Sequence, residues 1–373
     1  MMARIKSLVQ RYLSRITSSG EFIPEVDGLR FVAITGVLVS HLLMNFLVKT
    51  GRIAGVGEIE TLDAGVCERF LITVLLNGTL GVQLFFVISG FILGMPFARA
   101  HFGVRPMVKL RAYFLRRLTR LEPPYIICLV LLFSAAVWMG RESFAGLLPH
   151  LLASILYLHN AIYGEYSRVN GVAWTLEIEV QFYLLAPLLA SVFRIGSKAF
   201  RRAVLCASIL GLSAMVALLP YYSRFSLSLG VYLQYFLVGF LLADIYISDW
   251  RNNPQTRWWG DFGVLGFAAL CIWVVTRQRE LLWLMPVGMF AMTWFVFQAR
   301  FLRRLLNAWP IVIIGGMCYT IYLYHFSLML VVGPLFRRWH QNGWMATPAF
   351  LVQLLLLGGT ILLVCSFLDV SSG

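Results

Sequence analysis

Leu29–Val48 reads LRFVAITGVLVSHLLMNFLV, a run in which Arg30 and His41 are the only ionisable side chains. As a helix rising 1.5 Å per residue it would be about 30 Å long, the thickness of a bilayer's hydrocarbon core. The run therefore predicts a membrane-spanning helix. Working outward, nine further apolar segments read the same way: Leu71–Phe97, Leu121–Met139, Trp174–Phe193, Ala203–Pro220, Val231–Ile247, Phe262–Val275, Leu281–Phe297, Trp309–Leu335 and Met345–Leu368. Another apolar run, Leu147–Ile162, is short and is expected as a re-entrant or interfacial segment on the outer side. The fold class that follows is all-α, a polytopic membrane helical bundle of about ten spans.

Composition agrees. Of 373 residues 60% are hydrophobic and 13% charged, against about 25% charged in a soluble domain. A lipid solvent calls for that balance, and a soluble globular fold does not. The formal net charge is +14, with 31 Lys and Arg. These bases collect between apolar segments and form no separate basic stripe, so nucleic acid is not an expected partner. With the N-terminus inside, 21 of the 31 fall on the cytoplasmic side and 10 outside, the direction the positive-inside rule requires. A full span at Leu147–Ile162 would invert every later loop and erase most of that bias. Ten spans with both termini cytoplasmic is the expected topology. Residues 1–23 are expected as a basic cytoplasmic arm without the apolar core of a cleavable signal peptide, and residues 24–373 as one membrane domain. All the cysteines except Cys67 lie in apolar segments, and none stands at ligand spacing from another Cys or a His. Neither a disulfide framework nor a metal site is expected.

Ionisable residues inside a span are costly and mark function. Arg30 and His41 are three helical turns apart and share a face, separated by roughly 16 Å along the axis. Arg30 then sits at the cytoplasmic edge and His41 slightly beyond the bilayer middle. The fourth span opens AWTLEIEVQFY, Ala173–Tyr183. Helical periodicity puts Glu177 and Gln181 on one face, Glu179 and Tyr183 nearly opposite. The two carboxylates cannot serve one site side by side: one is expected to line a cavity, the other to reach interfacial water. A carboxylate and the His41 imidazole at similar depth suggest a proton-handling pair. On the cytoplasmic side a basic loop from Arg99 to Arg120 ends FLRRLTRLEPPY. Arg116, Arg117 and Arg120 suit either a topogenic charge cluster or a phosphate site, since guanidinium groups bind phosphate through paired donors. The residues alone leave both open.

Taken in order, these segments resemble the membrane acyltransferase 3 family, bacterial O-acyltransferases that modify sugars and other exported molecules. The family opens its first helix with L-D-G-L-R and a histidine after ten intervening residues; here VDGLR holds Asp27 and Arg30, and His41 follows. GVQLFFVISGF, Gly81–Phe91, is similar to the second-helix pattern and contains Ser89, with Gln83 where the family commonly has an acid. Arg116, Arg117, Arg120 and Pro123 match the R-R-x-x-R-I-x-P run before the third helix. The fourth-helix pattern W-S-L-x-V-E-x-Q-F-Y covers Trp174, Gln181 and Tyr183 and selects Glu179 over Glu177. YTIYLYH, ending at His325, resembles the family's Y-S-L-Y-L-W-H.

The resemblance implies an enzyme of the inner membrane that transfers an acyl group, most often acetyl, from cytoplasmic acyl-CoA to a hydroxyl of a lipid-linked or exported glycan. Acyl-CoA is then a donor substrate, not a permanently bound cofactor. His41 and Glu179 are the implied catalytic residues, His41 as general base or transient acyl carrier, Glu179 binding the acceptor or orienting the imidazole. Arg30, Arg116, Arg117, Arg120, Asp27, Ser89, Trp174, Gln181, Tyr183 and His325 are the implied substrate-binding residues. Membrane lipids surround the protein, and its oligomeric state is open. The rival reading is a proton-coupled transporter or flippase of an anionic or glycan cargo, which would need access from both sides.

Overall fold

The computed structural model describes residues 22–49, 51–53, 65–218, 224–277, 279–332 and, near the C-terminus, 352, 354–356 and 358–363. Among them there is no strand. The α-helices are α1 (Pro24–Lys49), α2 (Val66–Leu76), α3 (Gly81–His101), α4 (Leu110–Trp138), α5 (Phe144–Ile155), α6 (His159–Tyr163), α7 (Trp174–Leu189), α8 (Lys198–Ala217), α9 (Leu229–Ser248), α10 (Trp258–Arg277), α11 (Met285–Gln298), α12 (Phe301–Leu306), α13 (Trp309–Gly316) and α14 (Cys318–Val332). Among the described residues eight helical stretches are long and apolar enough to cross a membrane, or nine if one bent pair is a single span.

Local sequence explains where these helices begin. Pro24 opens α1, where its missing N–H costs nothing, and Glu25 and Asp27 stand in the first turn, at the positive end of the helix dipole. Ser143 and Ser197 cap α5 and α8 by accepting from the backbone N–H of Gly146 and Phe200.

Three expectations change. The second span is interrupted by a 3-10 turn, Asn77–Leu80, between α2 and α3. The basic run expected as a loop from Arg99 to Arg120 is helical at both ends, because α3 continues to His101 and α4 starts at Leu110. The ninth span is broken: α13 and α14 meet at 70°, directly after the Gly315–Gly316 pair, the kind of place where helices kink. The tenth expected span, Met345–Leu368, lies largely outside the described residues. Leu147–Ile162 forms α5, a turn and α6, too short to cross; that length agrees with a non-spanning segment.

The chain divides into two units, Met1–Val82 with Leu306–Gly373, and Gln83–Leu305. In the first, α1 packs on α13, α2 and α14. The approach is close because small residues line it. A Cβ on Gly36 would lie 2.9 Å from the Gly78 carbonyl oxygen, and Ser40 Oγ donates to the Leu76 carbonyl at 2.7 Å. Tight contacts of this kind, with polar bonds between helices, hold helices together where lipid offers no hydrophobic gain.

In the second unit α9 is the most enclosed helix. Phe236 stacks on Phe182 at 3.9 Å, and Phe240 on Phe193 at 5.4 Å. Gly239 lets α9 lie against the α3 backbone at Val87, Gly90 and Phe91. The helices α10 and α11 run antiparallel, with Arg257 beside Gln298 and Cys271 beside Gly288. Asp261 accepts from the backbone N–H groups of Arg300, Phe301 and Leu302, capping α12. Three arginines expected as loop charges are drawn inward. Arg201 and Arg202 both donate to Asp244, at 2.6 and 2.5 Å, with Arg201 and Asp244 buried. Arg99 is buried as well and donates to Asn252 Oδ1 at 3.2 Å. A buried guanidinium remains charged, and such partners offset the cost of taking that charge out of water.

Candidate active site

The first unit holds Asp27, Arg30, His41 and His325. Arg30 Nη1 donates to Asp27 Oδ1 at 2.6 Å, one turn back on α1, and both side chains are largely enclosed. Arg30 is thus paired internally, and Asp27 serves as its counter-charge. His41, half-buried on the same helix, places Nδ1 3.0 Å from Nε2 of His325 on α14. The two ring planes differ by only 5° while their centroids lie 5.2 Å apart. Ring lone pairs and N–H bonds lie in the plane of an imidazole, so this is an in-plane N–H···N bond and not face-to-face stacking. His325 has no exposed surface, and its Nδ1 lies 2.8 Å from the Tyr322 carbonyl oxygen and 3.1 Å from that of Ile321. His325, expected among the substrate-binding residues, bonds His41 and lies against the backbone of its own helix. The ring of Phe326 meets His41 edge-on.

The second unit gathers a different set. Ser89 Oγ on α3 and Tyr183 Oη on α7 both donate to Glu179 Oε1, at 2.6 and 2.5 Å. Tyr113 Oη on α4 donates to the Tyr183 carbonyl at 3.2 Å. The Arg117 guanidinium carbon stands 5.9 Å from the centre of the Tyr183 ring, at the outer reach of a cation–π contact. Its Nε is buried without a hydrogen-bond partner among the described residues. Arg116 and Arg120, four residues apart on one face of α4, are exposed. Arg117, three residues before Arg120 on the same helix, is half-buried. Gln181 is part-exposed. Trp174 packs on Tyr232 and Tyr166, at 5.4 and 6.2 Å between ring centres.

Glu177 departs from expectation. It is fully buried and does not reach water; Oε2 accepts the Asn160 backbone N–H at 2.8 Å, and Oε1 has no partner among the described residues. Nearby, His150 Nδ1 and His159 Nε2 lie 2.8 Å apart, with the Tyr163 ring against both. The sequence carried one signal for this cluster: two histidines in an apolar run too short to span. Among the described residues no group of three or more His, Cys, Asp or Glu assembles as a metal site.

Comparison with known proteins places this sequence in a family. Residues 23–369 match the family described as an acyltransferase domain. The O-acetyltransferase OatA of Staphylococcus aureus strain NCTC 8325 / PS 47 is 24% identical over 368 residues, covering 91% of this chain and 55% of that protein. A provisionally named O-acetyltransferase of Staphylococcus aureus strain COL is 24% identical over 338 residues, covering 83% and 51%. The chain thus spans about half the length of the curated relatives it matches. No solved structure matches it. The family match extends over nearly the whole chain, whose described helices include eight long and apolar enough to cross a membrane, and the chain belongs to the acyltransferase domain family.

Proposed function

We propose that this chain is an O-acetyltransferase that moves an acetyl group from cytoplasmic acetyl-CoA to a hydroxyl of a lipid-linked or exported glycan. It would act as a ten-span protein of the bacterial cytoplasmic membrane with both termini inside, an orientation supported by the distribution of its Lys and Arg residues. The names of the Staphylococcus aureus relatives support acetyl as the group transferred.

The observation that carries the reading is the bonded imidazole pair. His41 uses one ring nitrogen on His325, which leaves the other for proton transfer. In the transfer step the acceptor hydroxyl oxygen attacks the thioester carbonyl carbon while His41 takes the hydroxyl proton. The carbon–sulfur bond then breaks, and the imidazolium returns that proton to the departing CoA thiolate. Arg116, Arg117 and Arg120 suit the phosphates of the donor, and Arg30 keeps N–H donors beyond the one given to Asp27. Glu179 takes two hydroxyls on Oε1, which leaves lone pairs on Oε2 for a hydrogen-bond donor of a substrate. Enclosure by helices limits hydrolysis of the thioester, the competing reaction.

The test is CoA release from acetyl-CoA by purified protein in lipid, with mass spectrometry of surface glycans from cells carrying the same variants. His41→Ala is expected to lower the rate by about 10²–10⁴-fold with the thermal midpoint kept. Glycan acetylation at the wild-type level in His41→Ala cells would overturn the reading. Arg117→Ala is expected to raise the KM for acetyl-CoA about tenfold, the equivalent of losing one charge-assisted hydrogen bond.

A further inference from the structure

We infer that His325 is the positioning residue that sets the tautomer of His41 and makes His41 Nε2 the reacting atom. The inference rests on the acyl-transfer reading above and names the atom that reading leaves open. The argument runs along a chain of hydrogen bonds whose far end has only one direction. The carbonyl oxygens of Ile321 and Tyr322 can only accept, so His325 Nδ1, at 3.1 and 2.8 Å from them, carries a hydrogen. A neutral imidazole holds one ring hydrogen, which leaves His325 Nε2 bare. A charge on a ring with no exposed surface and no acidic hydrogen-bond partner among the described residues would be costly, and the neutral form is the one this setting accommodates.

Nε2 of His325 is therefore an acceptor, and the 3.0 Å bond to His41 requires that His41 Nδ1 donate. The neutral His41 ring then has its lone pair on Nε2, on the side away from His325. That atom makes no hydrogen bond among the described residues, and the His41 side chain is not sealed off. His325 thus plays the part that a carboxylate plays in a Ser-His-Asp triad, holding tautomer and ring plane while taking no part in bond making. It differs in bringing no negative charge. The near-coplanar rings fit such a hold, because rotating His41 about its side chain would break an in-plane bond. α14 supplies the histidine, and its own backbone turn supplies the carbonyls that fix its tautomer.

The experiment reads tautomers directly. Full-length protein labelled with 15N-histidine is placed in lipid at neutral pH, and the ring nitrogens of His41 and His325 are assigned by the signals lost in His41→Asn and His325→Gln. The expected spectrum shows both rings protonated at Nδ1 and bare at Nε2, with coupling across the N–H···N bond. A wild-type His41 protonated at Nε2 would overturn the inference, whatever the activity. In the same preparation His325→Leu is expected to slow CoA release from acetyl-CoA by about 10–100-fold in kcat with KM nearly kept, while His325→Gln, whose amide oxygen can accept from His41 Nδ1, recovers most of that rate. Full kcat in a folded His325→Leu protein would also overturn it. Failure of the acyl-transfer reading looks different: His41→Ala would then transfer normally while the nitrogen shifts stand as expected.

Discussion

Glu177 and Glu179 show how two residues of one type, two positions apart, come to different ends. Helical geometry sends them to different faces, and each finds different partners: Glu179 collects the hydroxyls of Ser89 and Tyr183, whereas Glu177 secures the backbone of Asn160. Their substitutions should separate accordingly. Glu179→Gln is expected to lose transfer, while Glu177→Gln keeps it, because an amide oxygen can still accept from Asn160. Glu177→Ala is expected to lower stability by about 1–3 kcal/mol by stranding a buried N–H, as read by unfolding in detergent. Ser89→Ala and Tyr183→Phe remove donors to the same oxygen. Their combined effect on stability should differ from the sum of the singles by at least about 0.5 kcal/mol, since neighbouring groups couple; strict additivity would mean the two hydroxyls act independently. The sequence displayed all of these residues. It could not display which carboxylate would be closed in, because exposure depends on what packs over α7.

At the scale of elements, two contacts decide how helices meet. On α9, Gly239 faces backbone atoms of α3, and backbone cannot yield as the tip of a side chain can. Gly239→Ala is expected to cost roughly 1–3 kcal/mol through overpacking, visible as a lower thermal midpoint in lipid. Between α5 and α6 the link is the His150–His159 pair. Burial, and next the neighbouring His150, hold the His159 imidazole below its ordinary value of 6.5, with Glu165 pulling weakly the other way. The folded state therefore resists the proton that the unfolded chain accepts. Stability from this site is complete above about pH 6.5 and is lost as the pH falls below it. The thermal midpoint of the wild type should drop more steeply between pH 7 and pH 5 than that of His159→Gln; parallel curves would dismiss the pair as the cause. The apolar runs of α1, α4, α8 and α9 were plain in the sequence. The break at Gly315–Gly316 was visible only as two glycines, and its 70° angle depends on how α13 seats against α1.

At the scale of the molecule, orientation in the membrane rests on charge. The proposed topology puts Cys67, exposed in the first turn of α2, on the outer side. In a variant keeping Cys67 as its sole cysteine, a membrane-impermeant maleimide should label intact cells; labelling only after the membrane is opened would reverse the orientation. Eight of the ten expected spans, from Leu29–Val48 to Leu281–Phe297, coincide with helices long and apolar enough to cross. The match is close because a bilayer demands about twenty apolar residues per crossing whatever their neighbours, so the signal is local.

Class and element positions were therefore determined by the sequence alone: lipid acts on each segment separately, and the cost of exposing polar backbone leaves only helices once strands are ruled out by the pattern. The order of motifs likewise singled out candidate site residues, His41, Glu179 and the arginines among them. Partnership was decided only by the tertiary structure. That His41 meets His325, 284 positions along the chain, that Arg30 is held by Asp27, that Arg117 turns to Tyr183 while Arg116 and Arg120 stay exposed, and that Glu177 is sealed in cannot be read from composition or period. The physical reason is the short range of hydrogen bonds: a few ångströms settle which donor finds which acceptor, and those distances are set by the packing of helices far apart in the chain.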